Sequence, residues 1–154
     1  MPYKSCKFYQ KFDNHKCNNY IRDKRCRAWY ITNLTWFVQL MMNELYSLTG
    51  EGEVCTADVI DTAKRNIIQV QEYSYREVLS NLSLKQKQMM QALAKEGRVT
   101  GITSAEFITR HRLGSASSVQ SAIAQLVEKD IITKTGDSYR IYDYFFAEWI
   151  RENF

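Results

Sequence analysis

The strongest constraint on the fold lies in residues 83–154, where signals for the start and end of helices recur at short intervals. Ser83 is followed three residues later by Gln86, and Thr103 is followed by Glu106 in the same way. This spacing is that of a capping box, in which the two residues bond each other's backbone N–H groups at the start of a helix. Gly97 stands where the first of these helices should end. The pattern predicts one full helix followed by a short one.

The stretch after these two helices predicts a third helix, a β-hairpin and a closing helix. Leu113–Gly114 indicates a tight turn, and Ser115 directly after it is a suitable helix cap. The runs Ile131–Lys134 and Tyr139–Tyr142 are strand-like, and the residues between them have hairpin turn chemistry. Asp143 can cap a last amphipathic helix. This order of elements predicts a winged helix-turn-helix whose wing is a two-stranded β-hairpin.

Two further helices are predicted upstream of this domain. Apolar residues between Leu34 and Leu48 recur at helical spacing. Gly50 follows where a helix ends in a left-handed residue, and it is expected to adopt that conformation. A second helical stripe follows Thr56, which is a suitable N-cap. These residues predict a small helical subdomain.

The charged residues are distributed unevenly over three parts of the chain. Residues 1–30 hold eight basic and two acidic side chains, residues 31–82 hold three and seven, and residues 83–154 hold ten and eight. A single Pro and six Gly favour a mainly α-helical protein. Residues 1–30 show no clean hydrophobic period, so their fold stays open. This basic segment can act either as an arm that attracts nucleic acid or as a solvated tail.

The sequence has no feature that points to a membrane or to export. No run approaches the roughly 20 apolar residues that span a bilayer, and the N-terminus lacks the apolar core of a signal peptide. The protein is therefore expected to be cytoplasmic. No cofactor is expected. In the cytoplasm the four cysteines of the chain are expected to be reduced: Cys6, Cys17, Cys26 and Cys55.

Two stretches of residues 83–150 resemble a known family. The segments LGSASSVQSAI and YRIYDYFFAEW are similar to the winged-helix tail of a prokaryotic AAA-type ATPase family, the archaeal-type ATPases also common in Bacteroides. In that family a small helical lid precedes the tail and carries an aromatic–aromatic–x–Gln element, which Trp36–Phe37–Val38–Gln39 matches here. The resemblance implies that residues 31–82 are lid-like and that residues 83–154 are the winged helix.

The catalytic part of that family has no counterpart in this sequence. It would lie upstream of the lid and carry a phosphate-binding loop of the form G-x-x-x-x-G-K-[ST]. No Gly of this chain is followed by Lys, so none of the family's ATP-binding residues can be assigned here. The sequence therefore favours a non-catalytic module derived from the tail of an ATPase.

A winged helix predicts where double-stranded DNA would bind. The N-terminal half of the third helix should face the base edges, and the wing should face the backbone. This helix has no Arg or Lys of the kind that usually recognises guanine, which argues against binding to a specific base sequence. The candidate nucleic-acid-binding residues are Arg110, Arg112, Ser115, Ser117, Ser118, Ser121, Gln125, Lys134, Ser138 and Arg140.

The sequence contains the residue types of three other kinds of site. Cys6, His15, Cys17 and Cys26 contain the ligand types of a zinc site but not its usual pair spacing, so unrelated thiols are favoured. Nothing in the sequence places His111 beside a cysteine, as a nucleophilic dyad requires. The many aromatic side chains can stack single-stranded bases, but their positions on amphipathic faces favour core packing.

The competing function is protein–protein interaction. Without the upstream ATPase core, apolar surface on residues 34–48 is expected to be uncovered. This interpretation predicts either binding to an ATPase core in trans or self-association into a dimer or larger assembly.

Overall fold

The computed structural model describes residues 35–154, and within them it is mainly helical with one small antiparallel sheet. The predicted fold class is confirmed. The helices are α1 (Thr35–Leu48), α2 (Ala57–Ser80), α3 (Leu84–Glu96), α4 (Ala105–His111), α5 (Ala116–Glu128) and α6 (Tyr144–Asn153). The strands are β1 (Arg98–Thr100), β2 (Ile132–Thr135) and β3 (Ser138–Ile141). The chain divides into two compact units between Ile67 and Ile68.

In the first unit, α1 has one buried face made of Phe37, Met41 and Leu45, as its apolar spacing predicted. The prediction of a left-handed Gly50 was wrong. Gly50 instead opens a turn in which the Glu53 N–H donates to the Gly50 carbonyl at 3.2 Å, and Gly52 takes the positive φ of +81°. A positive φ at the third residue of a four-residue turn, as in a type II turn, is a conformation that glycine adopts without strain.

The core of the second unit lies between α3, α5 and α6. Helix α3 packs against both of the others, because its apolar face is broad enough to serve two partners. The largest side chains with less than 2% exposure are Met89, Met90, Leu93, Leu126, Phe145 and Ile150. They come from all three helices and form one continuous core.

Three of the predicted helix caps are confirmed. The Ser83 N–H donates to Oε1 of Gln86 at 2.9 Å, and the Gln86 N–H donates to the Ser83 hydroxyl at 3.3 Å, which completes the capping box. Ser115 and Asp143 accept from backbone N–H groups at the starts of α5 and α6. Each of these bonds satisfies a donor that the first turn of a helix leaves without an intrahelical partner.

The predicted capping box of Thr103 with Glu106 was wrong by one residue. Ser104, not Thr103, caps α4 and accepts from the Phe107 N–H at 3.3 Å. The cause is a turn at Gly101, whose φ is +65° and whose carbonyl accepts from the Ser104 N–H at 2.8 Å. This turn places Ser104 at the cap position, and the residue three positions later is then an apolar phenylalanine.

The sheet has three strands where the sequence predicted two. Strand β1 lies antiparallel to β3, so the order across the sheet is β1-β3-β2. Val99 of β1 lies opposite Tyr139, and Ile132 of β2 lies opposite Ile141. Val99, Ile132 and Ile141 are buried on the face that meets α3 and α5. The wing is therefore anchored to the helices by one apolar face.

The second half of α2 packs on α6 within the second unit. The ring centroid of Tyr75 lies 4.9 Å from that of Phe146 and 5.9 Å from that of Trp149. The guanidinium of Arg76 lies 5.8 Å from the Trp149 ring centroid. These aromatic and cation–π contacts are favourable beyond simple burial. The winged-helix unit thus includes residues of α2 that precede Ser83.

Candidate nucleic-acid interface

The helix that follows the tight turn, α5, presents a neutral polar face to solvent. Val119, Ala122, Ile123 and Leu126 are buried, whereas Ser117, Gln120, Ser121 and Ala124 are exposed. None of the exposed side chains in its first three turns is charged. This face is small enough to approach a backbone closely, and its hydroxyl and amide groups can both donate and accept hydrogen bonds.

The amino end of α5 is organised by three serines. The Ser115 hydroxyl accepts from the Ser118 N–H at 3.3 Å and lies 3.1 Å from the Ser117 hydroxyl. The Ser118 hydroxyl donates to the Ser115 carbonyl at 2.8 Å. The structure thus brings Ser115, Ser117 and Ser118 together, as the sequence predicted, with Ser121 one turn further along the exposed side. The positive end of the helix dipole lies at the same place.

Two cationic residues lie near this helix end, Lys85 through tertiary packing and Arg112 three residues before Ser115 in the chain. Arg112 is exposed, has a left-handed φ of 52° as the residue that ends α4, and has no ion pair within residues 35–154. Lys85, in the first turn of α3, has its Nζ 3.4 Å from the position that a Cβ on Gly114 would occupy. Sequence reasoning missed Lys85 because it precedes Gly114 by almost thirty residues, and only tertiary packing brings it to the turn.

Arg110 is engaged by carboxylates. Its guanidinium donates to Glu96 at 2.8 Å and forms a second ion pair with Glu106. The Nε2 of His111 lies 2.8 Å from the same Glu96 oxygen. The hydrogen bonds from His111 and Arg110 lower the pKa of Glu96, and the bond to Glu96 raises the pKa of Arg110. Arg110 therefore offers less net positive charge to a ligand than Arg112 does.

Gln125 is also held by a neighbour. Its side-chain oxygen accepts from Nε2 of the buried Gln86 at 2.8 Å, and the Gln86 oxygen already accepts from the Ser83 N–H. This chain of bonds joins the start of α3 to the third turn of α5. Gln125 thus has a structural role, and its remaining amide donors are still available because the residue is exposed.

The predicted wing residues lie on opposite faces of the sheet. Lys134 lies opposite Tyr139 on the face that carries the buried Ile132, and its Nζ is 5.5 Å from the Tyr139 ring centroid. Ser138 and Arg140 alternate with these residues and therefore lie on the other face. The wing therefore does not present the three residues as one surface.

The structure tests the other candidate sites only where their residues lie between 35 and 154. Between residues 35 and 154 no group of three or more His, Cys, Asp or Glu side chains can hold a metal ion. The cluster proposed from Cys6, His15, Cys17 and Cys26 lies outside the described residues. Phe145, Phe146 and Trp149 are buried in the core, as their amphipathic spacing predicted. The same prediction was wrong for Trp36 and Tyr142, which are exposed. Over the same described range, no helix is long and apolar enough to cross a membrane.

The helix order, the tight turn between α4 and α5 and the sheet behind them define a winged helix-turn-helix protein. Comparison with protein families gives the same result: residues 73–152, more than half of the chain, match the model of the probable winged helix domain family. The chain belongs to this family. The match begins in α2, two residues before Tyr75. Comparisons with curated proteins and with solved structures gave no match.

Proposed function

We propose that the winged-helix unit binds double-stranded DNA through the amino end of α5, without catalysing a reaction. One observation supports this function above the others: Lys85 and Arg112 lie near that helix end and have no carboxylate partner within the described residues. A phosphate at this position would meet two cations, the serine hydroxyls and the positive end of the helix dipole. The neutral face of α5 would then lie along the groove.

Binding of this kind is expected to depend little on base sequence. Since α5 has no Arg or Lys before its cap residue Lys129, the usual bidentate contact to guanine is missing from its exposed face. Phosphate contacts supply affinity that falls steeply with salt. We therefore expect a module that attaches to duplexes in general, with serine and glutamine side chains adding only modest preference.

Fluorescence anisotropy with a labelled random duplex tests this function. The Lys85→Gln and Arg112→Gln variants are each expected to reduce the slope of log affinity against log salt by about 1. Lys95→Gln is the matched control, because Lys95 is an exposed lysine in the last turn of α3, away from the Gly114 turn. Equal slopes for all three variants would contradict the site.

A second candidate function is protein interaction, and exposed apolar side chains favour it. Val70 and Tyr73 of α2 are 80% and 81% exposed, and Trp36 and Tyr46 of α1 are 64% and 62% exposed. If the resemblance to an AAA-type ATPase tail reflects descent, these residues would contact an ATPase core in trans or a second copy of the chain. Light scattering tests self-association, and a clean monomer at high protein concentration would count against it.

A further inference from the structure

The six arginines of residues 68–154 divide into a paired and an unpaired group. The paired group, in which each arginine contacts a carboxylate, is Arg76, Arg110 and Arg151. The unpaired group, which has no ion pair within the described residues, is Arg98, Arg112 and Arg140. Arg112 belongs to the amino end of α5. The other two lie directly opposite each other on neighbouring strands.

Arg98 and Arg140 form the centre of a surface that we call the outer sheet face. Residues directly opposite each other on neighbouring strands project to the same side, so the register defines this surface. Its members are Arg98, Thr100, Thr133, Thr135, Ser138 and Arg140. Val99, Ile132 and Ile141 are buried on the opposite face, which meets the helices. The outer sheet face is therefore polar and carries two positive charges and four hydroxyl groups.

The positions of Arg98 and Arg140 are electrostatically unfavourable unless an anion binds between the two side chains. Like charges directly opposite each other on a sheet repel, and no carboxylate belongs to the outer sheet face. The Nε of Arg140 is shielded from solvent and has no hydrogen-bond partner within the described residues. A shielded donor without an acceptor is unfavourable and rare in folded proteins. One bound anion would relieve the repulsion and supply acceptors.

We propose that Arg98 and Arg140 together hold a phosphate of the nucleic-acid backbone, at a contact separate from the amino end of α5. This inference rests on the proposed function. The planar guanidinium matches the two free oxygens of a phosphodiester, and the hydroxyls of Thr100 and Thr133 are donors beside it. Phosphate is preferred to a protein carboxylate because the amino end of α5 presents the same combination of cations and hydroxyls.

The first test uses pyrophosphate as the probe and NMR of the arginine Nε–H groups of the full chain as the readout. Addition of pyrophosphate is expected to shift the Nε–H signals of Arg98 and Arg140 saturably, and to leave that of the paired Arg76 in place. Arg98→Gln should weaken this binding roughly tenfold, and Arg98→Lys should do so less. Because Arg98→Gln also removes the repulsion, its melting temperature at low salt should not fall.

The second test compares duplex binding of Arg98→Gln with that of Arg76→Gln, which removes the same charge from a paired arginine on α2. Arg98→Gln is expected to reduce the salt slope by about 1, and Arg76→Gln by less. If the wild-type chain binds duplex and the two variants behave alike, the phosphate contact is refuted while the proposed function stands.

The remaining outcomes separate the two proposals. Absence of pyrophosphate shifts at Arg98 and Arg140 overturns the anion site whether or not duplex binds. Pyrophosphate shifts without any duplex binding by the wild-type chain contradict the proposed function, and with it the nucleic-acid role of the outer sheet face. A short polyglutamate peptide that moves the same signals at lower concentration than pyrophosphate would assign the surface to an acidic protein and overturn the inference.

Discussion

The hydroxyl of Tyr75 donates a hydrogen bond to Oδ2 of Asp143 over 3.3 Å, across 68 positions of the chain. The same Asp143 uses Oδ1 to accept from the Phe146 N–H at 3.0 Å and so caps α6. Burial raises the pKa of Asp143 and, with the nearby carboxylate, that of Tyr75. One side chain thus fixes the start of α6 and the position of α2 against it.

Removal of the Tyr75 hydroxyl or of the Asp143 carboxylate should destabilise the winged-helix unit, and the second change should cost more. Tyr75→Phe keeps the ring and loses one hydrogen bond, so it is expected to lower the free energy of unfolding by about 1 kcal/mol. Asp143→Ala should cost roughly 2 kcal/mol, since it removes the cap as well. Asp143→Asn is the control, because asparagine also caps helices. Urea denaturation measures all three, and a Tyr75→Phe variant as stable as wild type would show that the bond contributes nothing.

The position of Tyr75 predicts where a stable fragment must begin. A fragment of residues 68–154 contains the buried Tyr75, Leu79 and Leu82, whereas a fragment starting at Ser83 lacks all three. Loss of one large buried side chain alone typically costs about 3–5 kcal/mol. We expect the longer fragment to unfold cooperatively and the shorter one to be markedly less stable or unfolded. Equal melting temperatures would place the domain boundary at Ser83, as the sequence predicted.

The carboxylate of Glu96 predicts a loss of stability in acid. Its pKa is lowered by hydrogen bonds from His111 and Arg110, so the folded state favours the ionised form. This contribution is present above the ordinary carboxyl pKa and is lost as the pH falls through the lowered value. Glu96→Gln should therefore be less stable than wild type near neutral pH and should show a smaller further loss in acid. Melting temperature as a function of pH measures the difference.

Asp143 should act with the opposite sign. Because burial raises its pKa, the folded state favours the protonated form, and the contribution of this group to stability increases as the pH falls through the raised value. Asp143→Asn removes that gain. A variant whose stability in mild acid, relative to neutral pH, matches that of wild type would contradict this assignment.

The pairing of Arg110 predicts that it matters less for DNA binding than Arg112. Glu96 and Glu106 offset the charge of Arg110, whereas Arg112 has no ion pair within residues 35–154. Arg110→Gln should change duplex affinity only slightly and should lower stability, because it removes one of the two bonds to Glu96. Arg112→Gln should weaken binding without that loss of stability. Anisotropy measures the affinity of the two variants for duplex, and melting curves measure their stability. A larger loss of affinity for Arg110→Gln than for Arg112→Gln would refute the assignment.

Local signals in the sequence predicted most of the second unit. Ser83, Ser115 and Asp143 cap helices through bonds within three residues, so their spacing alone was sufficient. Strand β1 was missed because three residues are too few to show alternation and their partner β3 lies about forty positions later. The predictions of a left-handed φ at Gly50 and of a helix cap at Thr103 were wrong for a related reason. Each residue lies at a turn, and the hydrogen bond that closes the turn determines which residue has the positive φ or the cap position.

The candidate site was less predictable because its electrostatics depend on distant pairs. The sequence marks Arg110 and Arg112 as equivalent, but Glu96, fourteen positions from Arg110, distinguishes them in the fold. Lys85 and Arg98 were not predicted as site residues, since only the packing of α3 and the register of β1 place them. The hydrophobic pattern fixes which faces are buried, whereas it does not determine which surface charges remain unpaired.

The central claim, that the winged-helix unit holds the phosphate backbone of a duplex, is tested most directly by the salt dependence of binding. Anisotropy titrations of the wild-type chain with a random duplex between about 50 and 200 mM salt should give a log–log slope near −3 to −5, which is a loss of roughly sixtyfold to a thousandfold in affinity over this range. An affinity that does not change with salt, or no detectable binding at the lowest salt, would contradict the claim.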